Sequence, residues 1–212
     1  EPDSGSHALG LATTAMPHGD EWVLNGSKTF VTNAPVADLF VVYARTGAGF
    51  AGITCFLLPR DTEGLTVGPK IEKMGLRTSP MSQVYMNDCR VPASAVVGSV
   101  GSGSMIFSQS LDVERLLVMA PAIGVMQRIL ERSTDHARQR TVGSTPIGKH
   151  QAIAHRIADM ELQLEAARLL LYRAASQRMR RGTATRESAL AKLAVSEAYV
   201  EVCCSALQIF AG

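Results

Sequence analysis

The chain is 212 residues long, 46% hydrophobic and 19% charged, with a formal net charge of +2. That length suits one large or two small domains able to bury roughly 70% of the unfolded surface, and the composition is that of an ordinary globular protein. The near-neutral charge gives no basis for binding nucleic acid or a membrane surface, no apolar run reaches the length of a membrane span, and no signal peptide is visible.

Residues 1 to about 100 read as β-structure. Trp22-Val23-Leu24 and Thr29-Phe30-Val31 flank Asn25-Gly26, a strong short-range hairpin signal. Leu39 to Ala44 is a buried-strand run, and so is Ile53 to Leu58, closed by Pro59. Leu65-Thr66-Val67 is short, and Gln83-Val84-Tyr85-Met86 alternates ahead of Val91-Pro92. Gly, Pro, Asn and Asp punctuate these runs at strand-like intervals, without helices between them, which points to an antiparallel sandwich or barrel. Gly98 to Ser104 reads as a flexible glycine–serine stretch.

Helical spacing takes over from about residue 104. One helix is expected from near Met105 to near Gln139, bent at Pro121. A second is expected from near Gly148 to Arg181, with Ile153, Ile157, Met160, Leu164 and Leu171 on one stripe. Arg178, Arg180 and Arg181 before Gly182 read as its cationic end and glycine cap. A third is expected from near Thr185 to about Phe210. Long amphipathic helices with short loops make a bundle. The domains expected are therefore 1–98 (β), 99–104 (Gly/Ser linker) and 105–212 (helical, incomplete). The absence of an initiator Met fits a piece of a longer protein. Cys55, Cys89, Cys203 and Cys204 form no C-x-x-C pair and no His spacing makes a zinc site. Free buried thiols in a reducing compartment, and no metal, are expected.

The first helix carries Asp112-Val113-Glu114-Arg115 in a stretch otherwise built to be buried. Asp112 and Arg115 share a helical face, with Glu114 on a neighbouring one. A carboxylate in an apolar setting has a raised pKa, which suits proton abstraction. Taken alone, the tetrad reads rather as Glu114 and Arg115 in a local ion-pair network or as a helix N-terminal charge.

Seven segments, in order and spanning essentially the whole chain, resemble those of the acyl-CoA dehydrogenase family. Glu1-Pro2-Asp3-Ser4-Gly5-Ser6 resembles E-P-x-x-G-S-D, with His7 in place of the Asp. Asn25 to Asn33 resembles N-G-x-K-x-[WY]-I-T-N, and Lys73 to Ser79 resembles K-x-G-x-R-x-S. Val91-Pro92 with Gly98 resembles V-P-x-x-x-x-x-G. Leu111 to Arg115 resembles the L-D-x-E-R of the isovaleryl- and long-chain-type members and of dehydrogenases of carrier-protein-bound acyl or prolyl thioesters. Pro146 to Gln151 resembles P-I-x-x-x-Q, and Gln208 to Gly212 resembles Q-x-x-G-G.

The resemblance implies an α+β multidomain fold, an antiparallel β-barrel or sandwich domain followed by an α-helical bundle. It implies FAD as cofactor and α,β-dehydrogenation of an acyl-CoA or carrier-protein acyl thioester. Glu114 would remove the α-proton and the β-hydride would pass to flavin N5. Gly5 and Ser6 would approach a phosphate, and Phe30, Val31 and Thr32 would lie against the flavin ring, Thr32 donating near N5. Arg140, Thr141, His150, Gln151, Gln208 and Gly212 match positions that bind the FAD of a neighbouring subunit. Ser6, Asp112 and Arg115 match substrate contacts. From the residues themselves, Phe30 also reads as sheet core and Arg140 as a helix C-terminal charge. The implied partners are an electron-transfer flavoprotein or similar acceptor and further copies in a homotetramer or homodimer, in the cytoplasm or the mitochondrial matrix of a eukaryote. Two departures stand out. The family's R-x-x-F-G places Phe and Gly where Gly143 and Ser144 stand, removing an aromatic contact to the cofactor, and Ala211 replaces the first Gly of the last segment. The competing expectations are a flavin monooxygenase or nitroalkane-oxidase-like relative, and a degenerate, non-catalytic homologue.

Overall fold

The first half of the chain forms six strands: β1 (Thr14–His18), β2 (Glu21–Thr32), β3 (Leu39–Arg45), β4 (Ile53–Pro59), β5 (Leu65–Val67) and β6 (Met81–Pro92). The computed structural model describes residues 1–2, 4–7 and 10–211, and the chain divides into two units, Glu1–Ser108 and Gln109–Gly212. The strands make one sheet in the order β4-β3-β1-β2-β6-β5. Neighbours are antiparallel except β1 and β3, which meet in parallel at Thr14 and Arg45. Trp22 of β2 meets Phe56 of β4 edge to face with ring centroids 5.7 Å apart. In a flat sheet strands three places apart stand about 14 Å from each other, so the sheet curls over its core. Its edge strands β4 and β5 do not pair; the barrel of the sequence reading is open, and its pairing is mixed.

Asn25-Gly26 does not turn the chain. It lies inside the continuous strand β2, opposite Asn87-Asp88 of β6, where the register shifts. Two residues there face one, which is a bulge. Asp88 takes the left-handed conformation (φ 51°), and the Asn25 amide holds it, Nδ2 donating to Asp88 Oδ1 (2.9 Å) and Oδ1 accepting from the Asp88 N–H (2.8 Å). Gly26 (φ 147°) is needed because a Cβ would stand 2.6 Å from Thr13 Oγ1. The true hairpin is β1–β2, turned by Gly19-Asp20 with His18 opposite Glu21. The sheet core is Ala15, Leu24, Phe40, Val42, Phe56, Leu58, Val84, Met86, Cys89 and Val91, inward positions of alternating strands.

The stretch from Gly98 to Ser104 is pinned to this sheet. The Gly101 N–H donates to Thr54 Oγ1 (2.9 Å), and Ser104 Oγ donates to the Phe50 carbonyl (2.7 Å). A Cβ on Gly103 would stand 2.8 Å from the Ile53 carbonyl; these small residues serve close packing.

Helices follow: α1 (Gly103–Leu117), α2 (Ala120–Gln139), α3 (Gln151–Arg181) and α4 (Thr185–Ile209). The single first helix of the sequence reading is two. Pro121 cannot continue a helix but fits the first turn of a new one, and the chain breaks at Val118-Met119 ahead of it. Between α2 and α3, β7 (Thr141–Val142) and β8 (Thr145–Pro146) form a small hairpin. The helical core repeats at three and four residues: Met126 and Leu130 on α2, Met160, Leu164, Ala167, Leu171 and Ala174 on α3, Ala191, Val195, Val202 and Ala206 on α4. Gly182 caps α3 in the left-handed conformation (φ 71°), its N–H donating to the Arg178 carbonyl. Adjacent helical residues face different ways, so Cys203 is half-buried and Cys204 exposed. Burial pushes up the thiols of Cys55, Cys89 and Cys203. Among the described residues no helix is long and apolar enough to cross a membrane.

Glu1 ties the start of the chain to the sheet. Its carboxylate accepts from the Ala12 N–H (2.5 Å), Thr13 Oγ1 (2.7 Å) and Lys28 Nζ (2.5 Å), and Lys28 also donates to the Tyr43 carbonyl (2.8 Å). Burial acts to raise the Glu1 carboxyl, but the donors, Lys28 first, outweigh it and lower it from 4.5 to about 2. Burial pulls the Lys28 ammonium below 10.5, with Glu1 opposing. A carboxyl depressed in the folded state adds stability that is present above pH 4.5 and lost as pH falls through about 2. Glu1→Gln in the full-length protein is expected to cost about 3 kcal/mol at neutral pH. It is also expected to flatten the fall in denaturant midpoint between those two pH values.

Candidate active site

Two surfaces, one on each unit, carry the residues singled out by the sequence. On the β unit, Lys28 to Ser82 brings a second bulge, with Thr29 and Phe30 of β2 opposite Gln83. Phe30 takes φ 57°, a conformation that costs a non-glycine residue about 1–2 kcal/mol, and its ring is 66% exposed. The core reading of Phe30 is thereby excluded for this unit. Thr32 is exposed too, while half-buried Val31 turns into a cavity of about 310 Å³. Gly5, Leu11, Lys28, Tyr43 and Phe107 share that cavity, and the Phe107 ring meets Tyr43 edge-on at 5.4 Å. Gly5 and Ser6 form an exposed bend beside it, Ser4 Oγ donating to the His7 carbonyl (2.8 Å). The Lys73 to Ser79 segment closes on the end of β2: Ser79 Oγ donates to Asn33 Oδ1 (3.2 Å) and the Asn33 N–H to the Pro80 carbonyl (2.6 Å).

On the helical unit, the Asp112–Arg115 turn separates into a buried and an open side. Asp112 is 6% exposed. Its Oδ2 accepts from Thr185 Oγ1 of α4 (2.5 Å), and Arg115 Nη1 stands 3.9 Å from Oδ1. The ion-pair reading of the tetrad therefore holds for Asp112 and Arg115. Glu114 takes no part in it. It is exposed, contrary to the expectation of an apolar burial, and Leu117 and Val118, one turn on, are 60% and 56% exposed.

The described residues matched to a neighbouring subunit's FAD gather at one end of the helical unit. Arg140 follows α2, and its carbonyl accepts from the Ile147 N–H across the β7–β8 hairpin (2.8 Å). Thr141 begins that hairpin, and His150 and Gln151 begin α3. Gln208 lies at the end of α4, brought to the same place by the His136–Phe210 ring contact (centroids 4.5 Å). All five are exposed; Gly212 lies outside the described residues. No side chain caps the start of α3, and Arg140 lies at the same end of the unit. Such an end suits an anion. Gly143-Ser144 is the loop of the hairpin, with Gly143 at φ 64°. Glycine is preferred there, which accounts for the departure in backbone terms.

Three features escaped the sequence reading. The Glu1–Lys28 pair spans 27 residues and Asp112–Thr185 spans 73, beyond any local pattern. A lysine in the middle of a long strand was a signal that it has a partner. The Ser188 hydroxyl, buried in α4 with no hydrogen-bond partner among the described residues, had no signal.

Two family models match the chain: "Acyl-CoA dehydrogenase, middle domain" over residues 1–89 and "Acyl-CoA dehydrogenase, C-terminal domain" over residues 101–212. The human mitochondrial short-chain specific acyl-CoA dehydrogenase is 41% identical over 100% of this chain and 52% of its own length. An L-prolyl-[peptidyl-carrier protein] dehydrogenase of Pseudomonas fluorescens is 40% identical over 100% of this chain and 57% of its own. A crystal structure of an FAD-dependent dehydrogenase superposes with a TM-score of 0.94 at 42% identity, covering 99% of this chain and 57% of that one. The chain thus spans about half the length of the relatives it matches.

A ring held out from the sheet at a strained residue adds nothing to this unit's core. Phe30→Gly is expected to leave the stability of the ligand-free, full-length protein unchanged or raise it by about 1 kcal/mol, by releasing strain. Thermal denaturation checks this, and a melting point several degrees lower would show the ring to be part of the core.

Proposed function

The chain belongs to the acyl-CoA dehydrogenase family, and we propose that its protein dehydrogenates an acyl thioester at the α,β-bond with FAD as cofactor. The observation that carries this reading is the state of Glu114: an exposed carboxylate, outside the Asp112–Arg115 pair, on a helix turn whose neighbouring Leu117 and Val118 are exposed and apolar. A substrate covering that face removes water from the carboxylate and strengthens it as a base.

The α-proton of a thioester is weakly acidic, so its removal needs a positioned base and stabilisation of the developing enolate. Glu114 takes that proton. Arg115, half-buried on the next position, holds the anionic carrier arm of the substrate. Asp112 is buried and occupied by Thr185, and it supports Arg115 from within.

The residues present fit FAD. Arg140 and the uncapped start of α3 suit a pyrophosphate, with Thr141, His150, Gln151 and Gln208 exposed around them. The exposed Phe30 ring and Thr32 hydroxyl suit an isoalloxazine. FAD, when bound, supplies the acceptor for the hydride that leaves the β-carbon.

The substrate class, a CoA or carrier-protein thioester, is supported by the names of the two relatives above. An electron-transfer flavoprotein as acceptor, a homotetramer or homodimer in which Arg140 and Gln208 serve a partner's FAD, and a cytoplasmic or mitochondrial-matrix setting complete the reading.

The test is anaerobic titration of the full-length flavoprotein with butyryl-, isovaleryl- and octanoyl-CoA and a prolyl carrier-protein thioester, following flavin absorbance. Bleaching by one class is expected. Glu114→Gln is expected to slow that bleaching by about 10²–10⁴-fold with flavin retained; near-native bleaching would remove Glu114 from the reaction. A protein that stays colourless with added FAD would indicate a non-catalytic homologue.

A further inference from the structure

Glu114 lies in the last turn of α1, which ends at Leu117 before the break at Val118-Met119. Terminal helical turns lack half of their backbone hydrogen bonds and fray. A base needs the opposite, a fixed position, and a displacement near 1 Å costs about 10²-fold in rate. Something must therefore hold this turn.

Asp112 stands two residues before Glu114, where the last turn begins, and is 6% exposed. Thr185 Oγ1 donates to its Oδ2 at 2.5 Å from the first residue of α4. α4 has no side-chain cap of its own, since Ala184 precedes it. The Asp112 carboxylate thus stands at the positive end of a 25-residue helix dipole. Asp112 Oδ1 has no hydrogen-bond partner among the described residues, and neither has the buried Ser188 hydroxyl one turn further along α4. The group facing Oδ1 is Arg115, at 3.9 Å. The hold on Asp112 from outside its own helix is accordingly the Thr185 hydroxyl.

We propose that Thr185 is a positioning residue: by donating to Asp112 it moors the last turn of α1 on the start of α4 and so fixes where the Glu114 carboxylate stands. This rests on the reading of Glu114 as the base. It gives Asp112 the role of an anchor in place of a substrate contact.

The test compares Thr185→Val, which keeps shape and loses the hydroxyl, with Thr185→Ser, which keeps it, in the full-length FAD-loaded protein. Hydrogen exchange at the amides of 113–118 is expected to quicken by about tenfold in Thr185→Val and to stay within about threefold of wild type in Thr185→Ser. With the thioester that bleaches the wild-type flavin, Thr185→Val is expected to slow bleaching about tenfold to a hundredfold. The isotope effect from α-deuterated substrate is expected to rise, half-saturation to change little, and Thr185→Ser to restore the rate. Unchanged exchange and isotope effect in Thr185→Val, even with a lower melting point, would overturn the proposal, as would a Thr185→Ser protein equally impaired. If Glu114→Gln bleaches at the wild-type rate, the base reading fails and this inference with it. If Glu114→Gln is slow and Thr185→Val is not, the mooring alone fails.

Discussion

A carboxylate removed from water must find donors or lose its charge. Among the described residues, Glu1 in the β unit and Asp112 in the helical unit are such groups, and each is met by a donor far away in sequence. Around Glu1, Lys28, Thr13 and the Ala12 amide join the first residues to β2, and Lys28 carries the tie on to β3 through the Tyr43 carbonyl. The Gly5-Ser6 bend and the cavity shared by Val31 and Tyr43 sit on that knot. Around Asp112, the α4 start joins the turn that holds Glu114 and Arg115. In both units a short segment with chemical potential stands next to a buried carboxylate, and the donor that meets the carboxylate, Lys28 for Glu1 and Thr185 for Asp112, helps to locate the segment.

The two halves of the architecture were legible because each has its own hydrophobic period, two residues in the strands and between three and four in α3 and α4. The ordered segments that resemble the family were legible as well, since they are contiguous. What misled was local chemistry with two uses. Asn-Gly serves a hairpin when both residues turn the chain, but also serves a bulge when Asn25 can bond across to Asp88. Pro121 bends a helix from inside or starts one, and deciding between these needs the packing of Leu116 and Ile123 into the core on either side of the break. An apolar setting was expected for Glu114 because its neighbours in sequence are apolar; the exposed state of Leu117 and Val118 is a tertiary fact. Ion pairs spanning tens of residues lie outside any windowed pattern.

The end of the helical unit illustrates how separate signals converge. Arg140, Thr141, His150, Gln151 and Gln208 come from two helix ends, a hairpin and a helix start, with 68 positions between first and last in the numbering of the chain. Their meeting depends on the antiparallel run of α2, α3 and α4 and on one ring contact, His136 against Phe210. The cationic charge, the uncapped amides and the amide side chain are each ordinary alone. Together they share one exposed end of the unit without forming a cluster in the sequence, which is why no windowed pattern or net charge hinted at it.

The β7–β8 hairpin limits what can stand in its loop. Its two-residue loop uses Gly143 at a positive φ, a conformation that phenylalanine adopts only under strain. An aromatic residue placed at position 143 would first have to rebuild the turn before its ring could make any contact, so the backbone of this loop, and not the space around it, decides against a large side chain.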